Sequence, residues 1–156
     1  CIESGVPVCI MHSQGIPETM QNEPKYIDVC LDIYDFLSQQ IENLVNSGMQ
    51  RKAIIVDPGI GFGKSLMHNL SLLRNISLFH GLGVPILIGV SKKKFVKTLA
   101  GLKENEDRMP GSISVALYAR SQGVQIFRVH NVKETVQAMK LWHSVHFNNV
   151  GDPDVS

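Results

Sequence analysis

The sequence predicts an α/β domain built on a parallel sheet. Three observations carry this. Apolar runs that read as strands alternate with segments of helical spacing, in the order β-α-β-α-β-α-β-α. The strand runs are continuously apolar rather than alternating, so both sheet faces are covered, as in parallel sheets packed under helices. Each strand run ends in polar or special residues, and parallel-sheet enzymes place their chemistry at the C-terminal ends of strands. The residues alone leave two architectures open: an open doubly wound sheet, or part of a (β/α)8 barrel.

The elements follow in order. Residues 6–11 (VPVCIM) are a short apolar run entered through Gly5, and a polar turn with Gly15 and Pro17 follows. Residues 24–46 contain no internal Gly or Pro. Ile27, Cys30, Leu31, Tyr34, Leu37, Ile41, Leu44 and Val45 recur there at helical spacing, and Gly48 is a stop signal. AIIV at 53–56 is a buried-strand pattern that runs into Asp57 and the loop PGIGFG. Residues 69–79 predict a helix with Leu70, Leu73, Ile76 and Ser77 on one side, closing at Gly81. VPILIGV at 84–90 is a third strand, with Pro85 tolerable only near its start. Residues 91–99 form a basic helical turn, 103–108 a polar loop and 111–122 a small-residue-rich helix. Residues 124–129 form a fourth strand. Asn131 and Glu134 suggest a capping box for a last helix running to about His146, with Val132, Val136 and Met139 inward. The polar end FNNVGDPDVS is expected to fray.

Composition narrows the function classes. The 156 residues are 44% hydrophobic and 19% charged, with a formal net charge of +1, which is ordinary globular composition. Near-zero charge argues against a nucleic-acid protein held by phosphate contacts. The longest apolar stretch, 82–90, is about half the ~18 residues of a spanning helix, so no membrane partner is expected. Three cysteines without CxxC make a disulfide framework unexpected and suit a reducing, cytoplasmic compartment. The first residue is Cys and no signal peptide is present, so the chain reads as a 1–156 piece of something longer.

The strand ends hold the candidate chemistry: Met11-His12-Ser13-Gln14-Gly15, Asp57 to Lys64, Gly89 to Lys94, and Arg128-Val129-His130-Asn131. PGIGFGK resembles a phosphate cradle, but a Walker A loop needs Gly where Pro58 stands, and a dinucleotide fingerprint needs Gly where Lys64 stands. What remains is either a tight βα turn or a flexible site loop whose Phe62 covers a flat ligand. Asp57 ends an apolar strand, where a carboxylate is costly unless partnered. It is either a cap for the next helix or the acceptor for a flat amidine-like N–C–NH2 edge. Lys92-Lys93-Lys94 follows a buried strand directly, so at least one lysine should point over the strand ends. Arg128 and His130 alternate onto one face, a pairing that suits an anion such as phosphate. His12 and His68 are read as structural, and His143 and His146 as exposed. No residue set has zinc-ligand spacing, and no serine sits in a nucleophile elbow. The residues by themselves describe a transferase whose flat substrate carries phosphate.

Four segments, VDPGIGFGKSLMHNLSLLRN, PILIGVSKKKFV, GSISVALYARSQGVQIFRVHNVKETVQAMKLW and CIMHSQGIPETMQ, closely resemble the dihydropteroate synthases over about residues 5–142. The resemblance implies a (β/α)8 TIM barrel, of which this chain supplies the fifth to eighth βα units. It implies condensation of 6-hydroxymethyl-7,8-dihydropterin diphosphate with 4-aminobenzoate to 7,8-dihydropteroate, with release of diphosphate. By the same resemblance Asp57 binds the pterin edge, Lys93 contacts the pterin near the aminobenzoate, and Arg128, Val129 and His130 belong to the diphosphate side. Met11 and Gly89 line the pterin pocket; Phe62 and Ser91 lie near the aminobenzoate and sulfonamide pocket. Lys93, Arg128 and His130 are the catalytic candidates.

The resemblance also implies Mg²⁺, with its protein ligand in the family's first half and none in this chain, and a homodimer through the late barrel helices. Lys92 stands where the family usually has Arg, and Lys94 where many bacterial members have Ser. Two other readings are a methyltetrahydrofolate methyltransferase, which would need Asp57 but no diphosphate clamp, and an inactive half-barrel. An isolated half-barrel is expected to associate or to be unstable, because its sheet edges are unpaired.

Overall fold

The structure is a computed structural model and describes residues 5–15 and 24–147. Pro17 of the expected turn and the polar end after Phe147 lie outside the described residues. The strands are β1 (Val8–Met11), β2 (Ile54–Asp57), β3 (Leu87–Ile88) and β4 (Ile126–Phe127). β1 pairs with β2 in parallel from Val8↔Ile54 to Met11↔Asp57, and β3 with β4 through Leu87↔Ile126 and Ile88↔Phe127. A parallel bridge between Val56 and Ile86 joins the two pairs. The strands therefore stand side by side in chain order. A doubly wound sheet reverses its order at a switch point, whereas the arc of a barrel runs in sequence. Four strands in chain order fit the arc of a barrel, and equally one half of a doubly wound sheet, so the order by itself leaves both architectures open.

The helices are α1 (Val29–Asn46), α2 (Leu66–Arg74), α3 (Lys94–Leu99), α4 (Met109–Ser121) and α5 (Val132–Phe147). α1 starts at Val29 rather than near residue 24. The Asp28 carboxylate accepts from the Cys30 and Leu31 amides at 2.8 and 3.1 Å and caps it there. Its buried side is Val29, Cys30, Ile33, Leu37 and Ile41, while Ile27, Leu31 and Val45 of the expected stripe are exposed. The Gly48 stop holds, at φ 96°.

α2 begins before residue 69, because Ser65 and His68 form a capping box: each backbone amide donates to the other's side chain. The single helix expected to residue 79 is broken at Asn75. Residues Ile76–Leu82 are a 3₁₀ helix, and the chain turns at Gly83, φ 67°, not at Gly81. Ser77 is exposed.

In α5 the expected inward residues Val132 and Val136 are 60% and 48% exposed, while Thr135 is buried and Met139 packs on the core. The helix rests on α4 along one side, so most of its apolar residues face outward. The expected Asn131–Glu134 capping box is absent. The Asn131 carbonyl accepts from the Thr135 amide and hydroxyl, and its Oδ1 is buried without a partner.

The core lies between the strands and helices α1 and α2. Ile54, Val56, Ile86 and Ile88 from the sheet, Ile33 and Leu37 from α1, Leu72 from α2 and Phe79 from the 3₁₀ helix are fully buried. Each such side chain contributes about 1.5–3 kcal/mol. That packing holds the strand ends rigidly, and the candidate site sits on them. No described helix is long and apolar enough to cross a membrane. Cys9 and Cys30 are free thiols.

Candidate active site

β2 delivers Asp57 to the strand ends at 1% exposure. Its Oδ1 accepts from the Gly59 amide at 2.8 Å, and its Oδ2 accepts from Arg128 Nη2 at 2.9 Å. Burial raises the carboxyl above its ordinary value, and the Gly59 bond, Arg128 and Lys93 oppose that rise. Arg128 lies just past β4, with its amide still in the parallel ladder to the Ile88 carbonyl. Its Nη2 is also 4.0 Å from Met11 Sδ. A Cβ on Gly89 would stand 2.8 Å from that same nitrogen, so the missing side chain leaves room for the guanidinium to cross the sheet.

Asp57, Arg128, Met11 and Gly89 thus form one cluster drawn from all four strands. Arg128 and His130 are exposed with Val129 half-buried between them, as the alternation anticipated. His130 turns toward β3: its amide donates to Ser91 Oγ at 3.3 Å, and its Nδ1 lies 3.0 Å from that oxygen. Ser91 therefore orients His130.

Lys93 is the lysine of the triplet that reaches back over the site. Its Nζ stands 3.8 Å from the centre of the Phe62 ring, a cation–π contact. Burial chiefly, and then Arg128, lower its ammonium from the ordinary value, while Asp57 counteracts them. The turn that aims it is strained. Lys92 has φ 56°, a left-handed conformation uncommon for a residue with a side chain. It is held there by Ser112 Oγ, which accepts from its amide at 2.9 Å, and by Arg108 Nη1, which donates to its carbonyl at 3.1 Å.

The loop 58–64 is tied by hydrogen bonds at Gly61, Phe62 and Gly63. Gly61 N donates to Asn69 Oδ1 at 2.7 Å, Tyr26 OH donates to the Gly63 carbonyl at 2.8 Å, and Phe62 N donates to the Gly59 carbonyl at 3.0 Å. Gly59 and Gly63 have positive φ, and a Cβ on either would run into the His12 or Gln14 carbonyl.

Sequence reasoning missed Lys64, using it only to reject a nucleotide fingerprint. It is 2% exposed, and its ammonium donates to the Phe62 carbonyl at 2.9 Å and to His12 Nδ1 at 3.0 Å. Burial chiefly, with Lys93 adding and Asp57 opposing, brings its pKa down to about 7. No spacing rule marks such a lysine; its signal was a charge directly after a Gly-rich loop. Arg108 and Ser112 were missed for a similar reason, since they act on a backbone rather than a ligand.

His12, taken as structural, is buried and packs edge-on against Phe36. Burial first, then Lys64, lower its pKa from 6.5 to about 4, with Asp32 opposing. Above pH 4 the folded chain therefore keeps it neutral, whereas the unfolded chain protonates below 6.5. Stability should fall as pH drops from 6.5 to 4, by up to about 3 kcal/mol. Urea titrations across that range should show the slope, and His12→Asn should flatten it; an unchanged slope refutes the assignment.

Similar proteins share this arrangement of elements. The family model described as pterin binding enzyme matches residues 1–130. The dihydropteroate synthase of Escherichia coli K12 is 44% identical over 139 residues, which are 89% of this chain and 49% of that protein. A Yersinia pestis dihydropteroate synthase solved with a sulfonamide drug complex superposes with a TM-score of 0.89 at 41% identity, over 95% of this chain and 54% of that one. A Xanthomonas albilineans dihydropteroate synthase in complex with 7,8-dihydropteroate gives 0.85 at 34% identity, over 93% and 52%. The chain spans about half the length of the curated relatives it matches.

Proposed function

We propose, since the chain belongs to the pterin-binding enzyme family, that the whole protein is a dihydropteroate synthase and that residues 1–156 supply the fifth to eighth βα units of its TIM barrel. The observation that carries this is the cluster at the strand ends: a buried Asp57 bonded to Arg128, with Lys93 beside both and laid over Phe62. A pterin's N–C–NH2 edge presents two donors, and Asp57 presents acceptors at the floor of the site. Arg128 and His130 stand on the exposed side, where the diphosphate would lie. The 4-aminobenzoate nitrogen attacks the methylene carbon as the C–O bond breaks. The bonding pair leaves with diphosphate, and the amine proton passes to solvent. Negative charge grows on the leaving oxygen, and Arg128 and His130 stabilise it as it grows. An aniline is already nucleophilic, so holding it in line carries much of the rate. Phe62, Lys93 and Ser91 are the residues of this chain assigned to that side.

Mg²⁺ would neutralise diphosphate charge when bound. The residues here do not make its site. No group of three His, Cys, Asp or Glu among the described residues is placed to hold a metal. The family resemblance assigns its protein ligand to the first half of the barrel. Homodimerisation through the late helices is supported by the outward Val132, Val136, Leu141 and Val145 of α5. An arc of four strands leaves β1 and β4 as edges, so activity is assigned to the whole barrel.

The test is a diphosphate-release assay on the full-length protein with pterin diphosphate and 4-aminobenzoate. Diphosphate release that depends on both substrates is the expected result. Methyl transfer from methyltetrahydrofolate to a corrinoid partner, without diphosphate release, would overturn the reading.

A further inference from the structure

We propose that Lys64 is a positioning residue: it braces the Phe62 loop against His12 and so holds the wall on which the aminobenzoate is seated. The inference rests on the synthase reading for the identity of that substrate, and on geometry for the brace itself.

Lys64 is among the most deeply buried large side chains of the chain, and it ends in an amine whose pKa burial has brought down to about 7. Removing an ammonium from water is expensive, and a well-packed apolar side chain of similar volume is often as stable or more so. The fold alone therefore gives no reason for a lysine here. Its two bonds do. One runs to the Phe62 carbonyl in the loop after β2, at 2.9 Å, and the other to His12 Nδ1 just after β1, at 3.0 Å. The two loops border the same cluster, and a single ammonium links them. His12 is buried and packs edge-on against Phe36 at 5.0 Å between ring centres, so the brace ends on a packed side chain.

The consequence reaches Phe62. Its ring lies under the Lys93 ammonium, and the carbonyl that Lys64 holds belongs to the same residue. Tyr26 and Asn69 hold the neighbouring Gly63 and Gly61, so without Lys64 the Phe62 carbonyl loses its tie and Phe62 is left with only its amide bond to Gly59. The ring should then sample more positions. Lys64 does not touch the reacting atoms in this scheme; it acts through Phe62.

The experiment uses the full-length protein and the variants Lys64→Met, Phe62→Ala and the double variant. Lys64→Met should raise KM for 4-aminobenzoate by about tenfold, while KM for the pterin diphosphate and kcat stay within about twofold. In the double variant the KM should match that of Phe62→Ala, because a brace has nothing to act on once the ring is gone. Lys64→Gln, which keeps a donor, should fall between wild type and Lys64→Met. A Lys64→Met protein with lowered thermal stability and unchanged KM, or fully additive effects with Phe62→Ala, would overturn the proposal. So would failure of both Lys64 variants to fold, which would mark a structural role alone.

Amide hydrogen exchange separates this from the functional reading. The Phe62 amide, bonded to the Gly59 carbonyl at 3.0 Å, should exchange about tenfold faster in Lys64→Met whether or not the protein makes dihydropteroate. An unchanged rate sinks the brace; absence of diphosphate release in the wild type sinks only the synthase reading.

Discussion

Asp57→Ala in the full-length protein is expected to weaken pterin binding by about 10²–10⁴-fold. Two hydrogen bonds from the pterin edge to a carboxylate are worth about 1.5–3 kcal/mol each, and 1.4 kcal/mol is tenfold in affinity. Calorimetry with a dihydropterin measures it, and a loss of less than about fivefold would refute the assignment.

Asp57→Asn separates binding from folding. Burial raises the Asp57 carboxyl, so the folded protein keeps its proton to higher pH than the unfolded chain, which titrates near 3.8. The stabilising contribution of that group is complete below pH 3.8 and declines as pH rises through the folded value. Once ionised, the buried group works against folding. The neutral amide should therefore leave thermal stability at pH 7 unchanged or higher, while pterin affinity drops. Such a trade is characteristic of a residue kept for binding rather than for the fold.

Arg128→Ala should weaken binding of the pterin diphosphate by about 30- to 150-fold, the loss of a charge-assisted contact of about 2–3 kcal/mol. A pterin lacking diphosphate should lose much less. The structure adds a complication that the sequence did not suggest: Arg128 is also the partner of the pterin-side carboxylate, at 2.9 Å. Arg128 lowers the Asp57 carboxyl against the effect of burial. Removing it should shift Asp57 protonation to higher pH, so some loss of pterin affinity should grow on acidification. Comparing both ligands by calorimetry at two pH values resolves the parts. Equal losses for both ligands at neutral pH would refute the diphosphate role.

Much of this was legible in the chain. Continuous apolar runs such as AIIV read as parallel strands, and the parallel pairing followed from that local pattern, although burial on both faces did not: Ile55 is half-buried and Cys9 of β1 is exposed. Asp57, Arg128 and His130 could be singled out because a polar group at the end of an apolar strand has few other places to go; the same logic reached one lysine of 92–94, and only the resemblance narrowed it to Lys93. Helix boundaries were less legible. The Ser65–His68 box moved the start of α2 earlier, and the break at Asn75 came from local side-chain bonds that periodicity does not register. The inward face of α5 was misread because it depends on which neighbour the helix meets.

The sequence by itself determined which residues carry charge at the strand ends, since that depends only on spacing along one strand. Their partners were settled only in three dimensions. Arg128 lies 71 residues from Asp57, Lys64 lies 52 from His12, and Ser91 lies 39 from His130. Side-by-side strand order brings these groups within 3 Å of each other. The left-handed turn at Lys92 is held by Ser112 of α4 and by Arg108 just before that helix. Contacts across such separations are made when the core packs, because the energy that fixes them is spread over many buried side chains rather than written at any one position.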